Sequence, residues 1–339
     1  MKLVFVTQQL DPVHPTLGAA AAMVDALAVR VDELVVIAST ASPGALPANA
    51  RFRSFAAPTQ ALRGLRFEGI LVRELLRGGR PAGLLAHMSP IYALLAAPVL
   101  RPLGIPVLLW FTQQRAGAHL ARAARVVDGI LSVDARSVPL SSPKIRAIGH
   151  GVDTAMFACA PRSAAGDRLR LLSIGRYADV KGHDVAVRAL RSLPEADLTV
   201  CGEEATPADA HVRARLRDLV RDLGLEERVR MLDAVPRSRV PALFAETDVV
   251  VNATHGASAD KVVFEALASC VPVVAASPVF DALLPPELRF ADSDPDDLAE
   301  HVRAAARLPE AERLRLRARV EAEHSVDHWA DAVVAAMRR

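Results

Sequence analysis

Short apolar runs recur along this chain, and a stretch with helical spacing follows most of them. Such alternation admits few architectures besides a parallel sheet with helices on its faces. The pattern is clearest at residues 249–277. Val249-Val250-Val251 closes an apolar run, and a small polar loop covers Asn252 to Ala259. Lys261 to Ser269 then has helical spacing, with Val262, Val263, Ala266 and Leu267 placed for a core. Pro272 ends that helix, and 271–275 opens another buried strand. A helix that starts directly after a parallel strand aims its first amides into the crevice at the sheet's carboxyl edge. Amides and helix dipole there favour an anion such as a diphosphate. Glu265, one turn beyond Lys261, repels a phosphate but is suited to accept hydrogen bonds from a ribose diol. The same spacing also describes an ordinary strand–helix–strand unit with Glu265 in solvent.

The alternation runs twice. In the first half, 2–7 and 33–38 read as buried strands with a helix at 18–30 between them. Gly18 opens that helix after a long turn with two prolines, where a glycine permits close approach of a ligand. No G-x-G-x-x-G fingerprint is present. Further strands are expected at 83–88, 106–111, 128–133 and 144–148, with a helix at 118–126. His87 and Thr112-Gln113 fall at strand carboxyl ends, where ligand sites of α/β proteins form, and a histidine there suits a general base or a donor to substrate. The polar run 158–168 is the linker. The second half then places strands at 169–174, 197–201, 228–232 and 248–251, helices at 182–192, 208–223 and 239–246, and closing helices at 296–307 and 310–323. The turn Gly175 to Gly182 sets Arg176 and Lys181 at a strand's carboxyl end, a pair able to clamp a diphosphate and neutralise a leaving nucleotide.

Residues 61–77 read as an amphipathic helix, with Leu62, Leu65, Ile70, Leu71, Leu75 and Leu76 as the apolar stripe and Arg63, Arg66, Arg73 and Arg77 on the polar side. A basic amphipathic helix fits peripheral contact with an anionic membrane or with a charged acceptor, while Glu68 and Glu74 dilute the charge and favour a solvated face. The net charge of +2 gives no bulk attraction to nucleic acid. No apolar run reaches membrane-spanning length, and the strand-like LVFVT that follows Met1-Lys2 is shorter than the apolar core expected of a signal peptide. The three cysteines show neither zinc spacing nor a disulfide framework, so the expectation is a reducing, cytoplasmic setting, with contact at the inner membrane face left open. The acidic run 292–297 reads as a helix cap rather than a metal site.

Several segments occur together in a familiar order: IGRYADVKGHDVAVRAL (174–190), CGEE (201–204), ERVRMLDAVPRSRVPALFAETDVVVNAT (227–254) and DKVVFEALASCVPVVA (260–275). Over roughly 110 residues the second half resembles the family 4 retaining glycosyltransferases of the GT-B fold. Weaker matches in the first half are Gly18, LLAHMSP, IPVLLWFTQQ and AIGHGVDTAMF (147–157). The resemblance implies an α/β protein of two Rossmann-like, doubly wound domains facing a deep cleft. The first is expected over 1–158 on the acceptor side, and the second over 165–323 on the donor side. Helix 324–339 is expected to return to the first. The donor is implied to be a nucleotide-diphosphate sugar, bound by Gly18, Gly175, Arg176, Lys181, Asp260, Lys261, Val262 and Glu265. Arg176 and Lys181 lie on the diphosphate and Glu265 on the ribose. Arg176, Lys181, Thr112, Gln113 and His87 are the candidates for catalysis. Transfer is implied to need no metal or other cofactor. The acceptor stays open between a lipid, a glycan and a small natural product.

The chain departs from the family pattern at three places. Ala257 stands where a glutamate eight residues before Glu265 is usual, so Asp260 is a candidate replacement and Lys261 a reader of a charged sugar. Thr112 and Gln113 stand where many members have a histidine, and Cys270 replaces a glycine. These changes keep a second class open, a non-catalytic nucleotide-sugar-binding partner of an active enzyme. A GT-B epimerase or phosphorylase is a third.

Overall fold

Residues 3–6, 34–38 and 84–86 are fully buried, as expected of strands covered on both faces by helices. In the computed structural model, which describes residues 1–14, 17–42, 44–77, 79–114, 117–159 and 167–338, they are inner strands of a parallel sheet. The chain divides into two units, Met1–Gly151 with Glu323–Arg339, and Val152–Ala322.

The first unit contains β1 (Lys2–Val6), β2 (Glu33–Ala38), β3 (Ala50–Ser54), β4 (Gly83–His87), β5 (Val107–Trp110), β6 (Gly129–Ser132) and β7 (Ile145–Ala147). All pair parallel, in the order β3-β2-β1-β4-β5-β6-β7. The order reverses between β1 and β4, which makes the carboxyl ends of those strands the natural ligand position. Helices α1 (Ala19–Ala28), α2 (Gln60–Arg77), α3 (Pro90–Leu100) and α4 (Ala118–Val126) connect the strands. The final helix, Val326–Met337, belongs to this unit. Trp329 lies edge-on to Trp110 with ring centroids 5.7 Å apart, and Arg30 is paired with Asp331 at 2.7 Å.

Two elements of this unit escaped the pattern reading. Strand β3 is a partly exposed edge, and its ARFRS sequence has no apolar run to betray it. Helix α3 is apolar nearly all round and carries Pro98 inside, so neither periodicity nor breaker rules single it out. Helix α2 corrects the expected stripe. Its inward face is Phe67, Leu71 and Glu74, whereas Leu62, Leu65, Val72 and Leu76 are exposed. The reason is the partner surface: α3 receives Phe67 against Tyr92, ring centroids 4.9 Å apart.

The second unit is a smaller sheet with the same reversal. Strands β8 (Leu169–Ile174), β9 (Ala196–Gly202), β10 (Val229–Asp233), β11 (Val249–Asn252) and β12 (Val273–Ala275) are all parallel, in the order β10-β9-β8-β11-β12. Helices α5 (His183–Ala189), α6 (Pro207–Asp222), α7 (Val240–Ala245), α8 (Lys261–Ala268), α9 (Pro295–Ala306) and α10 (Glu310–His324) flank it. The acidic run before α9 is a cap, with Asp294 accepting from the Asp296 and Asp297 amides. The final helix is α11.

Two expectations change here. The first domain was expected to run to 158, but the division falls after Gly151. Val152 and Phe157 are fully buried, and the Phe157 ring sits 5.9 Å from Phe244 of the second unit. Most of the expected linker, 160–166, lies outside the described residues. The cysteine spacing shows no disulfide framework, yet Cys159 and Cys270 form a disulfide with Cα atoms 5.2 Å apart, 111 residues apart in sequence. Spacing rules cannot anticipate a pair that only the fold brings together. Cys201 is the buried free thiol.

Candidate functional site

In the second unit the sheet order reverses between β8 and β11, so the turn after Ile174 and the loop after Asn252 meet at one crevice. Gly182 fixes how closely they meet. Its φ is +60°, and a Cβ there would stand 2.2 Å from the Ala253 carbonyl oxygen. Only glycine admits both the left-handed backbone and that approach. Gly175 serves the same turn differently, because a Cβ there would press on the Lys181 stem at 3.2 Å. Lys181 therefore lies back over the turn and reaches across to the other loop.

There it meets Asp260. The ammonium donates to both carboxylate oxygens at 2.7 Å, Asn252 Nδ2 donates at 2.9 Å and Ser258 Oγ at 2.9 Å, and the Thr254 hydroxyl donates as well at 2.5 Å. Burial alone would raise the Asp260 pKa, but the Lys181 charge and these hydrogen bonds outweigh it and hold the group well below the usual carboxylate range. Asp260 is the N-cap residue of α8, yet its side chain caps no amide of that helix. The first amides of α8 are thus left uncapped by the residue type that normally satisfies them.

Both oxygens of Asp260, the candidate replacement for the missing glutamate, are thus engaged within the protein. Lys261 follows at the first position of α8. Burial, and then the neighbouring Arg237 guanidinium, lower its pKa to about 7, against a smaller opposing pull from Glu265. Val262 continues the same first turn.

Glu265 faces inward on α8 and is buried. Its carboxylate lies 2.7 Å from Arg237, itself buried, whose guanidinium sits 5.1 Å above the Phe157 ring. Sequence reasoning missed Arg237, which is 28 residues away and carries no motif of its own. Arg176, at the start of the other turn, pairs with Asp209 at 3.1 Å. That carboxylate also accepts from the Ala205 and Thr206 amides at the head of α6. The two cations expected as a free clamp are therefore each matched by a carboxylate.

A second missed residue is His183. Burial lowers its pKa to about 4, so the ring is neutral. Its Nε2 lies 3.1 Å from the Arg176 carbonyl and Nδ1 lies 2.8 Å from Ser173 Oγ. A carbonyl only accepts, so Nε2 carries the proton and Nδ1 accepts from the serine. This ring ties the turn bearing Arg176 to β8.

The remaining candidates belong to the first unit. His87 ends β4 at the reversal point, is buried and stacked on Phe5, and its Nδ1 lies 3.1 Å from Thr7 Oγ1 at the end of β1. Met88 next to it has φ of +56°, and the Ser89 hydroxyl beyond is buried without a hydrogen-bond partner. Thr112 lies beyond β5, beside β4, and its hydroxyl is also buried and unpartnered. Unsatisfied hydroxyls at a strand's carboxyl end are natural acceptors or donors for a ligand. Gln113 is exposed, and Gly18 is the N-cap of α1 with ordinary right-handed backbone. Among the described residues no cluster of His, Cys, Asp or Glu has the geometry to hold a metal ion.

Residues 160–321 match the model of the family described as glycosyl transferases group 1. A D-inositol 3-phosphate glycosyltransferase of Kineococcus radiotolerans is 37% identical over 150 residues, 40% of this chain and 34% of that protein. The enzyme of the same name from Mycobacterium leprae is 29% identical over 197 residues, 56% of this chain and 40% of its own length. The matches thus span little more than a third of these relatives. Among solved structures, sucrose-phosphate synthase from Thermosynechococcus elongatus superposes with a TM-score of 0.79 at 15% identity, covering 99% of this chain and 98% of that one. Anabaena HepE, solved in complex with UDP and glucose, gives 0.76 at 16% identity, covering 99% and 98%.

Proposed function

We propose, from the premise that residues 160–321 belong to the group 1 glycosyltransferases and that the chain has the GT-B fold, that this protein moves a sugar from a nucleoside-diphosphate sugar to an acceptor. The observation that carries this reading is the crevice of the second unit. There the head of α8, whose amides the Asp260 side chain does not cap, the Lys181–Asp260 pair and the Arg237–Glu265 pair converge within the first two turns of helix. The α8 amides receive the diphosphate, Lys181 and Lys261 neutralise it, and Glu265 accepts from the ribose diol. Arg176 supports the turn and turns toward phosphate on exchanging Asp209 for the ligand.

The transfer proceeds with retention and without a metal. On this reading no carboxylate serves as nucleophile: the acceptor attacks from the face the nucleotide leaves, and a donor phosphate oxygen takes its proton. The rate then rests on stabilising the departing diphosphate and on positioning. His87, Ser89 and Thr112 supply polar groups on the first unit's sheet edge for the acceptor, whether lipid, glycan or small natural product.

A second reading rests on a specific observation as well. Lys181 is neutralised by Asp260 and Ala257 offers no carboxylate, which favours a chain that holds a nucleotide sugar without turning it over. One experiment separates the two. The purified chain is titrated calorimetrically with UDP, GDP and ADP, then incubated with the matching sugar nucleotides and acceptor pools, with and without EDTA. Nucleoside diphosphate release with an unchanged anomeric configuration by NMR, insensitive to EDTA, supports the transferase. Binding without release supports the partner subunit, and no binding of any nucleotide rejects both.

A further inference from the structure

Helix α2 presents a second apolar face that none of the described residues covers. Phe67, Leu71 and Glu74 point inward, while Leu62, Leu65, Val72 and Leu76 are 46, 64, 43 and 81% exposed. With Gly69 they repeat at spacings of three and four residues, which places all five on one side of the helix. A Cβ built at Gly69 meets nothing within 4 Å, so the middle of the stripe is open. The stripe extends over about 21 Å at 1.5 Å per residue.

The charge beside it is mostly basic: Arg63, Arg66, Arg73 and Arg77 follow one flank, all exposed, and Glu68, half-buried, is the acid on the other. Arg63 donates to the Ala57 carbonyl at 2.9 Å and Arg66 to the Ala56 carbonyl, so neither is neutralised by an acid. Arg73 and Arg77 have no ion-pair partner among the described residues. The helix's buried acid, Glu74, is turned inward to Lys2 and Arg53. An exposed apolar stripe bordered by four arginines, with Glu74 withdrawn and Glu68 the acid left beside it, is the pattern of a helix lying in a membrane interface. A second copy packed antiparallel fits less well, because pairing α2 on itself that way would bring its arginine flank against another.

We propose that α2 is a docking face for an anionic phospholipid bilayer, lying in the interface plane with Leu62, Leu65, Val72 and Leu76 in the headgroup–acyl boundary and the arginines on lipid phosphates. This surface belongs to the first unit and is independent of the donor chemistry. Co-sedimentation of the full chain with vesicles of phosphatidylcholine alone and of phosphatidylcholine with phosphatidylglycerol tests it. The chain is expected to sediment with the anionic vesicles and to be partly released by salt. Arg73→Glu with Arg77→Glu should weaken that binding by roughly tenfold or more. Leu65→Asn with Leu76→Asn, which leave the charge unchanged, should weaken it comparably, with melting curves unchanged because both residues are exposed. Absence of wild-type binding to anionic vesicles at low salt overturns the proposal. So does a wild-type dimer that Leu65→Asn with Leu76→Asn converts to monomer, since that result assigns the stripe to self-association.

Discussion

The Lys181 ammonium lies 2.7 Å from each carboxylate oxygen of Asp260, so the cation proposed to meet a diphosphate is already matched by a charge one residue before α8. On that proposal a ligand phosphate must share or displace the carboxylate.

Asp260→Asn tests the pair directly. It leaves a half-buried lysine without its counter-charge and should cost about 3–5 kcal/mol of stability. A nucleoside diphosphate then supplies the missing anion, so UDP should raise the melting temperature of the variant more than that of the wild type. Equal shifts in both would separate Lys181 from the phosphate site. In the wild type the Asp260 carboxyl is held more acidic than in the unfolded chain. Its stabilisation is therefore present above about pH 4 and lost as the pH falls below that, where Asp260→Asn should show a flatter urea midpoint.

Lys261 gives the opposite pH signature. Its folded pKa of about 7 lies below its ordinary value. Between pH 7 and about 10 the unfolded chain binds the extra proton, so the lysine's contribution to stability rises with pH, by up to about 1.4 kcal/mol per unit. Lys261→Met should remove that slope from urea midpoints. Diphosphate affinity by calorimetry should increase as the pH drops from 8 to 6 in the wild type and change less in the variant.

Arg237 and Glu265 form a buried pair, so breaking it from either side should be costly. Arg237→Ala should destabilise by about 3–5 kcal/mol, because it strands a buried carboxylate and uncovers the Phe157 ring. Glu265→Gln keeps the shape and should cost less stability while weakening nucleotide binding roughly tenfold, through loss of a charge-assisted hydrogen bond. Thermal melts and calorimetry read the two effects separately. Unaltered nucleotide affinity in Glu265→Gln would remove the glutamate from the ribose site.

The Cys159–Cys270 bond closes a loop of 111 residues around the second unit. Cys159→Ser should lower stability under non-reducing conditions by about 2–5 kcal/mol. Dithiothreitol should lower the wild-type melting temperature and leave the variant's unchanged. Peptide mapping without reductant should recover the two cysteines as one linked pair and Cys201 as the free thiol.

Much of this protein was legible before folding. The alternation of buried runs and helical spacing determined two parallel α/β halves, because a strand covered on both faces must be apolar throughout and a crossover helix must be amphipathic. The order of Gly175, Arg176, Lys181 and Gly182, and of Asp260 to Glu265, located the turns at the ends of β8 and β11, because local glycine and helix-start chemistry is written in adjacent residues. What adjacent residues cannot encode is who meets whom across the fold. Only the tertiary structure decided that Asp260 meets Lys181, that Arg237 lies on Glu265, that Cys159 reaches Cys270, and that three of the five leucines of α2 face outward. Each depends on the distance between segments 28 to 111 residues apart, or on which neighbour a helix packs against, and both are set by sheet order and core packing rather than by local pattern.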